Sequence, residues 1–146
     1  AQRQEFKRHL EQQLKFMSYA PILSLSAKFR QGIDKVLPQA WRIWRERQKR
    51  LPLSEVDAAV KQAVSNYPPP HIGSKQLRII RAYQDESRSA TFILQVNDPQ
   101  LVHFSYQRYL QNKLRQEFGF NGLPLKLVFT KAAPKSNNKK MEVVRV

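Results

Sequence analysis

The stretch NDPQLVHFSYQRYLQNKLRQEFGFNGLPLKLVF, residues 97–130, constrains the fold more than any other part of the chain. Val102, Tyr106, Leu110 and Leu114 recur every four residues, the spacing of one face of an α-helix, and Phe118 drifts to the flank of that face. Asp98 is a candidate N-cap, and Pro99 falls where proline suits the first helical position. Gly119 supplies a left-handed stop. NGLP then makes a turn, and LKLVF is a strand. A helix with this stripe buries one face. Tyr106 is therefore expected in the core and Tyr109 at its boundary, with Arg108, Asn112 and Arg115 facing outward.

The segment before it, LPLSEVDAAVKQAVSNYPPP, predicts another helix. Leu51-Pro52 breaks what precedes, Ser54 is a candidate cap, and Glu55 and Asp57 suit the positive end of the helix dipole. Val56, Val60, Ala63 and Val64 form the apolar face, and Pro68, Pro69 and Pro70 end the helix in an extended segment. QLRIIRAYQ and ATFILQV predict two strands, joined by the polar connector DESRS as a hairpin. The order from residue 54 is helix, strand, strand, helix, strand, which predicts an α+β sheet with helices on one face.

The first fifty residues pose a different problem. Phe6, Leu10, Leu14 and Met17 predict an amphipathic helix over residues 2–16. Ile22, Leu23 and Leu25 follow Pro21 as a short apolar run of the kind found in buried strands. FRQGIDKVLPQAWRIWRERQKR predicts a second helix, with Ile33, Val36, Leu37, Ala40, Trp41 and Trp44 as its stripe and Pro38 near its first turns. A lone buried strand cannot satisfy its own backbone groups. Residues 1–50 are accordingly expected to be the end of a larger α/β domain, 51–131 a compact domain, and 132–146 a basic flexible tail that orders on an anion. The start at Ala1, which is not methionine, fits the expectation of a piece of something longer.

Net charge, +15 over 146 residues, points to an anionic partner, nucleic acid before an anionic membrane surface. Residues 1–50 carry 12 cations and 4 anions, 51–131 carry 10 and 6, and 132–146 carry 4 and 1. The cluster Arg42, Arg45, Arg47, Lys49 and Arg50 exceeds what compensation of a helix dipole needs. Lys75, Arg78, Arg81, Arg88, Arg108, Lys113 and Arg115 are the candidate RNA-binding residues; singly each is ordinary solvated surface, and together they fit phosphate binding. Trp41 and Trp44 suit a core or a domain interface better than base stacking. There are no cysteines, which excludes disulfides and thiol chemistry. His9, His71 and His103 lack metal-ligand spacing, so no metal is expected. No apolar run approaches the ~20 residues of a membrane span, and no membrane role is expected. Paired carboxylates and a serine with a placed base are not visible, so catalysis by these residues is not expected.

YPPPHIGSKQLRIIRAYQ, TFILQVNDPQLVHFSYQRYL and FGFNGLPLKLVF are long and unusual strings. They resemble the C-terminal KH-like domain of the Der (EngA) tandem-GTPase family. YAPILSLSAKFRQGIDKVLP resembles the end of that family's second GTPase domain, and Ser26-Ala27-Lys28 is similar to its G5 motif, whose loop backs the guanine base. The resemblance spans about residues 3–130. It implies a KH-like αββαβ domain preceded by a helix–strand–helix remnant of a P-loop GTPase α/β domain. It also implies GTP and Mg in an intact parent and no cofactor in this segment. The implied partners are the large ribosomal subunit, its rRNA and the parent's own GTPase domains, in a bacterial-type cytoplasm or a plastid stroma. The chain departs from the pattern in three ways. It has no GxxxxGK[ST] phosphate loop and no NKxD motif, which leaves no phosphoryl chemistry here. It lacks the GxxG loop of true KH modules. DESRS differs from the family's usual continuation, so contacts carried over at residues 84–89 do not follow.

Two functions compete. One is the ribosome- and rRNA-binding C-terminal region of a Der-type GTPase active in large-subunit assembly. The other is a GTPase-derived structural RNA-binding protein that stays on the ribosome without hydrolysing GTP, which the charge and the basic tail favour.

Overall fold

Phe92, Leu94 and Val96 are fully buried along one side of a central strand, and the surrounding elements are arranged to cover them. The computed structural model describes residues 2–133. The chain runs α1 (Gln2–Gln13), α2 (Val36–Gln48), α3 (Leu53–Asn66), β1 (His71–Ile72), β2 (Lys75–Gln76), β3 (Ile79–Gln84), β4 (Thr91–Val96), α4 (Phe104–Phe118) and β5 (Lys126–Lys131). The expected α+β architecture is present. β3 and β4 are antiparallel, with Gln84 opposite Phe92 and Ala82 opposite Leu94. β4 and β5 are parallel, with Phe92 opposite Leu127. A parallel pair cannot close through a tight turn; α4 is the crossover that joins them. β1 and β2 form a small separate hairpin not foreseen from the sequence.

The helical stripes meet the sheet as their spacing predicts. Val56, Val60 and Ala63 of α3 and Tyr106, Leu110 and Leu114 of α4 pack on Ala82, Phe92, Leu94, Val96 and Leu127. Each large apolar side chain buried in this way contributes about 1.5–3 kcal/mol. Leu77, Phe120 and Leu125 close the rim of the core.

Several local expectations are corrected. Ser54 does not cap α3: the helix begins at Leu53 after Pro52, whose carbonyl accepts from the N–H groups of Glu55 and Val56. Asp98 and Pro99 start only a short 3-10 turn, Pro99–Leu101, with Asp98 accepting from the Gln100 N–H. Val102 and His103 are extended, with ψ of 112° and 142°, so α4 starts afresh at Phe104 with the His103 ring as its cap. Gly119 does end α4, at φ 85°.

The first fifty residues differ most from expectation. α1 stops at Gln13 and is followed by a 3-10 turn, Lys15–Met17; Phe6, Leu14, Phe16 and Met17 are exposed and Leu10 is half-buried. No strand forms at Ile22, Leu23 and Leu25; beside them is only the isolated bridge between Ser26 and Gln31. The reason is the one that made the segment problematic: a strand needs a neighbouring strand for its backbone groups, and none among the described residues lies beside it. α2 starts at Val36 after a 3-10 turn, Ile33–Lys35, and buries none of its residues; Trp41 and Trp44 are exposed and stacked, ring centroids 4.8 Å apart. Of the expected tail, residues 132–146, Ala132 still donates its N–H to the Val96 carbonyl at 2.9 Å, and 134–146 lie outside the described residues.

α2 is nonetheless fixed to the domain at its C-terminal end. The buried Gln84 amide accepts from the Leu51 N–H at 2.8 Å and donates to the Lys49 carbonyl at 3.0 Å. Lys49 bonds Glu46 at 2.8 Å and the Phe118 carbonyl at 2.9 Å. The backbone N–H groups of Phe120 and Asn121 also help to hold the Glu46 pKa below its usual value. A Cβ at Gly122 would stand 2.6 Å from Ile43 Cγ1, so glycine is what lets α2 approach this loop.

Candidate nucleic-acid interface

The hairpin β1–β2 and the turn after β4 enclose a groove of about 570 Å³, lined by His71, Ser74, Lys75, Gln76, Arg78, Asn97, Asp98 and Leu101. Two of the candidate cations, Lys75 and Arg78, meet here. The groove is shaped by Asn97, whose side chain accepts from the Arg78 N–H at 2.8 Å and donates to the Gln76 carbonyl at 3.0 Å. That pair holds the short connector at the end of β4 and leaves the exposed Arg78 side chain free for solvent or a ligand.

Arg81 lies on β3 opposite Gln95, exposed. Asp57 sits behind it, accepting from the Ala82 N–H at 2.9 Å and paired with Lys61. Desolvation pushes the Asp57 carboxyl up, but the Lys61 hydrogen bond, the Ala82 N–H and the charges of Lys61 and Arg81 outweigh it and hold its pKa below the usual value. Arg88 is exposed in the β3–β4 turn, where Asp85 accepts from the Ser87 hydroxyl and from the Ser87 and Arg88 N–H groups. Those bonds lower the Asp85 pKa, the Ser87 hydroxyl first.

On α4, Arg108 is exposed and lies over the exposed Phe104 ring at 5.8 Å. Lys113 is exposed over the Tyr109 ring at 5.9 Å. Tyr67, Tyr106 and Tyr109 form one aromatic cluster in which the Tyr106 hydroxyl donates to the Tyr67 carbonyl and the Tyr109 hydroxyl to that of Ala63. Both tyrosines take the core and boundary places expected of them.

Arg115 does not face outward as expected. Its guanidinium donates to the Phe120 and Leu123 carbonyls, both at 2.9 Å, and lies 5.6 Å from the Tyr19 ring centroid. Burial lowers its pKa, with Tyr19 opposing. It holds the loop after α4 rather than presenting charge. Lys49, from the basic cluster on α2, is likewise committed to the junction.

Ser26, Ala27 and Lys28 lie in a tight turn closed by the Ser26–Gln31 bridge, where the Ser26 hydroxyl accepts from the Phe29 N–H at 3.4 Å. Lys28 is exposed beside the Phe29 ring. The sequence-selected cations thus divide among separate places: Lys75 and Arg78 in one groove, Arg88 at the hairpin turn, Arg108 and Lys113 along α4. Sequence reasoning missed that Arg88 shares a cleft with Arg47 and Arg50, because 38 residues separate Arg88 from Arg50. Among the described residues no helix is long and apolar enough to cross a membrane, and no group of three or more acidic, His or Cys side chains could hold a metal.

Residues 50–130 match the family model described as the KH-domain-like region of EngA bacterial GTPase enzymes, C-terminal. The chain is 40% identical over 126 residues to the GTPase Der of Clostridium acetobutylicum, covering 86% of this chain and 29% of that protein. It is 40% identical over 124 residues to the GTPase Der of Moorella thermoacetica, covering 85% and 28%, and 42% identical over 125 residues to that of Clostridium botulinum, covering 86% and 28%. The chain spans under a third of the length of these relatives.

Proposed function

The chain belongs to the Der (EngA) GTPase family, and we propose from that premise that it is the ribosome- and rRNA-binding C-terminal region of such a GTPase, acting in large-subunit assembly. One observation carries the reading. Among the described residues three ion pairs form, Lys7–Glu11, Lys49–Glu46 and Lys61–Asp57, and Lys75, Arg78, Arg81, Arg88, Arg108 and Lys113 take part in none. A surface of unpaired cations on a chain of net charge +15 is suited to neutralising phosphates.

In this reading residues 51–131 dock on rRNA, and residues 1–50 are the end of a GTPase domain whose remaining strands would cover Ile22, Leu23 and Leu25. The exposed apolar side chains Leu37 and Trp41 support that assignment. Ser26, Ala27 and Lys28 would then back a guanine base, with GTP and Mg held by the rest of that domain. These residues themselves do no phosphoryl chemistry, since the sequence has neither a phosphate loop nor an NKxD motif. The place of action is a bacterial cytoplasm.

Co-sedimentation with large ribosomal subunits across a salt series tests the reading. Binding at low salt that falls steeply as salt rises is the expected result. Binding that survives a high-salt wash would favour a permanent ribosomal component, and none at low salt would overturn RNA docking altogether.

A further inference from the structure

The end of α2 and the β3–β4 turn face one another across a cleft of about 570 Å³. Arg47 and Arg50 come from one wall and Arg88 from the other; Trp44, Ser87, Ser89, Leu123 and Pro124 complete it. The lining contains no carboxylate. The turn carries two acids outside the lining: Asp85, which already accepts three hydrogen bonds from Ser87 and Arg88, and the exposed Glu86. All three arginines are exposed and none forms an ion pair among the described residues. The Ser89 hydroxyl is buried and has no hydrogen-bond partner. Trp44 lines the cleft, is 50% exposed and has one ring face stacked on Trp41. The junction that sets the cleft is rigid, since Gln84 and Lys49 pin the end of α2 to β3 and to the loop after α4.

We propose that this cleft is a phosphodiester-binding site for single-stranded RNA, in which Arg47, Arg50 and Arg88 grip consecutive phosphates and Trp44 stacks an unpaired base. The proposal rests on the reading above and names where on this chain RNA is held. Like charges drawn from segments so far apart in sequence repel one another, and a row of phosphates relieves that repulsion. Guanidinium groups bind phosphate oxygens in a bidentate fork. A tryptophan beside them accepts any base face, which makes the site tolerant of sequence. The site spans both sides of residue 50, so it exists only while α2 is held against the domain.

The test uses the full chain with R47Q, R50Q and R88Q combined, and K75Q with R78Q as the comparison pair. Binding to a short oligouridylate and to large ribosomal subunits is followed across a salt series, with folding checked by circular dichroism. The triple variant is expected to lose at least tenfold in oligouridylate affinity at low salt, and its log–log salt slope is expected to fall by about 2, at ~0.7 per lost contact. In a W41F background, Trp44 fluorescence is expected to quench on adding oligouridylate. Wild type and triple variant binding subunits and oligouridylate alike, with one slope, would overturn the cleft and leave the ribosome reading standing. Wild type binding neither would overturn both. R88Q alone, on an exposed turn, carries the same test if the triple variant folds poorly: its slope should fall by about 0.7.

Discussion

The Lys49 ammonium donates to the Phe118 carbonyl at 2.9 Å, joining positions 69 residues apart in sequence. The same nitrogen holds Glu46 at 2.8 Å and lies 5.3 Å from the Phe120 ring centroid. One side chain thus ties the last turn of α2 to the loop that follows α4. Lys49→Ala should lower stability by about 1–2 kcal/mol, since hydrogen bonds to charged groups are worth ~1.5–3 kcal/mol and this one is partly exposed to solvent. Chemical denaturation monitored by Trp fluorescence measures it; an unchanged midpoint would mean the link carries no energy.

The partner of that lysine gives the junction a pH dependence. Desolvation raises the Glu46 pKa, but the Lys49 hydrogen bond, its charge and the N–H groups of Phe120 and Asn121 together bring it below the ordinary 4.5. A depressed carboxylate contributes stability that is fully present above the unfolded value and is lost as pH falls through the folded one. Acid melts below pH 4.5 should therefore be steeper in wild type than in Glu46→Gln. Parallel curves would show that Glu46 is not linked to folding.

Gly122 has φ 83°, and a Cβ there would meet Ile43 Cγ1 at 2.6 Å. Gly122→Ala should cost ~1–2 kcal/mol for the left-handed backbone and a further ~1–3 kcal/mol for overpacking. Adding Ile43→Ala removes the second part alone, so the double variant should be more stable than the sum of the single effects predicts. Strict additivity in a double-mutant cycle would mean α2 does not rest on this loop.

What was legible in the sequence follows from which forces are local. The four-residue stripe of Tyr106, Leu110 and Leu114 was readable because burial of one face imposes a period. The cap of α4 was not, because Asp98-Pro99 is as good a start for a single 3-10 turn as for an α-helix, and the extended His103 decides between them. The apolar run at Ile22 was read as a strand because hydrophobicity says nothing about whether a neighbouring strand exists. Arg115 and Arg108 stand seven residues apart on one helix and looked alike; only the path of the loop after Gly119 distinguishes a guanidinium with two carbonyl partners from a free one. The cleft around Arg88 could not be found at all without the packing of α2.

Tyr106 tests the core from the alkaline side. Desolvation, reinforced by Tyr109 and Tyr67, pushes its hydroxyl up from 10 to about 12. A group whose folded pKa is raised contributes stability fully present below the unfolded value and lost as pH climbs through the folded one, here between pH 10 and about 12. Tyr106→Phe removes that dependence and the bond to the Tyr67 carbonyl, at a cost of ~0.5–1.5 kcal/mol, while Tyr106→Ala should cost ~3–5 kcal/mol for the cavity. Absorbance titration with denaturation at two pH values separates the variants. A loss under ~1 kcal/mol for the alanine would mean the ring is not packed as described.

Arg108 and Arg115 make opposite predictions. Arg108 is exposed and lies over the exposed Phe104 ring, so Arg108→Glu should change stability by no more than a surface substitution does, about 0.5 kcal/mol, and weaken salt-dependent RNA binding. Arg115 donates to two carbonyls in the loop after α4, so Arg115→Ala should cost about 2 kcal/mol through two lost charge-assisted bonds. Any effect of Arg115→Ala on RNA binding should then vanish when binding is compared at equal fraction folded. Paired thermal melts and salt-series binding decide between them. An Arg115 variant that folds normally yet binds RNA poorly would return that residue to the interface, and an Arg108 variant that unfolds would mean its helix face is buried.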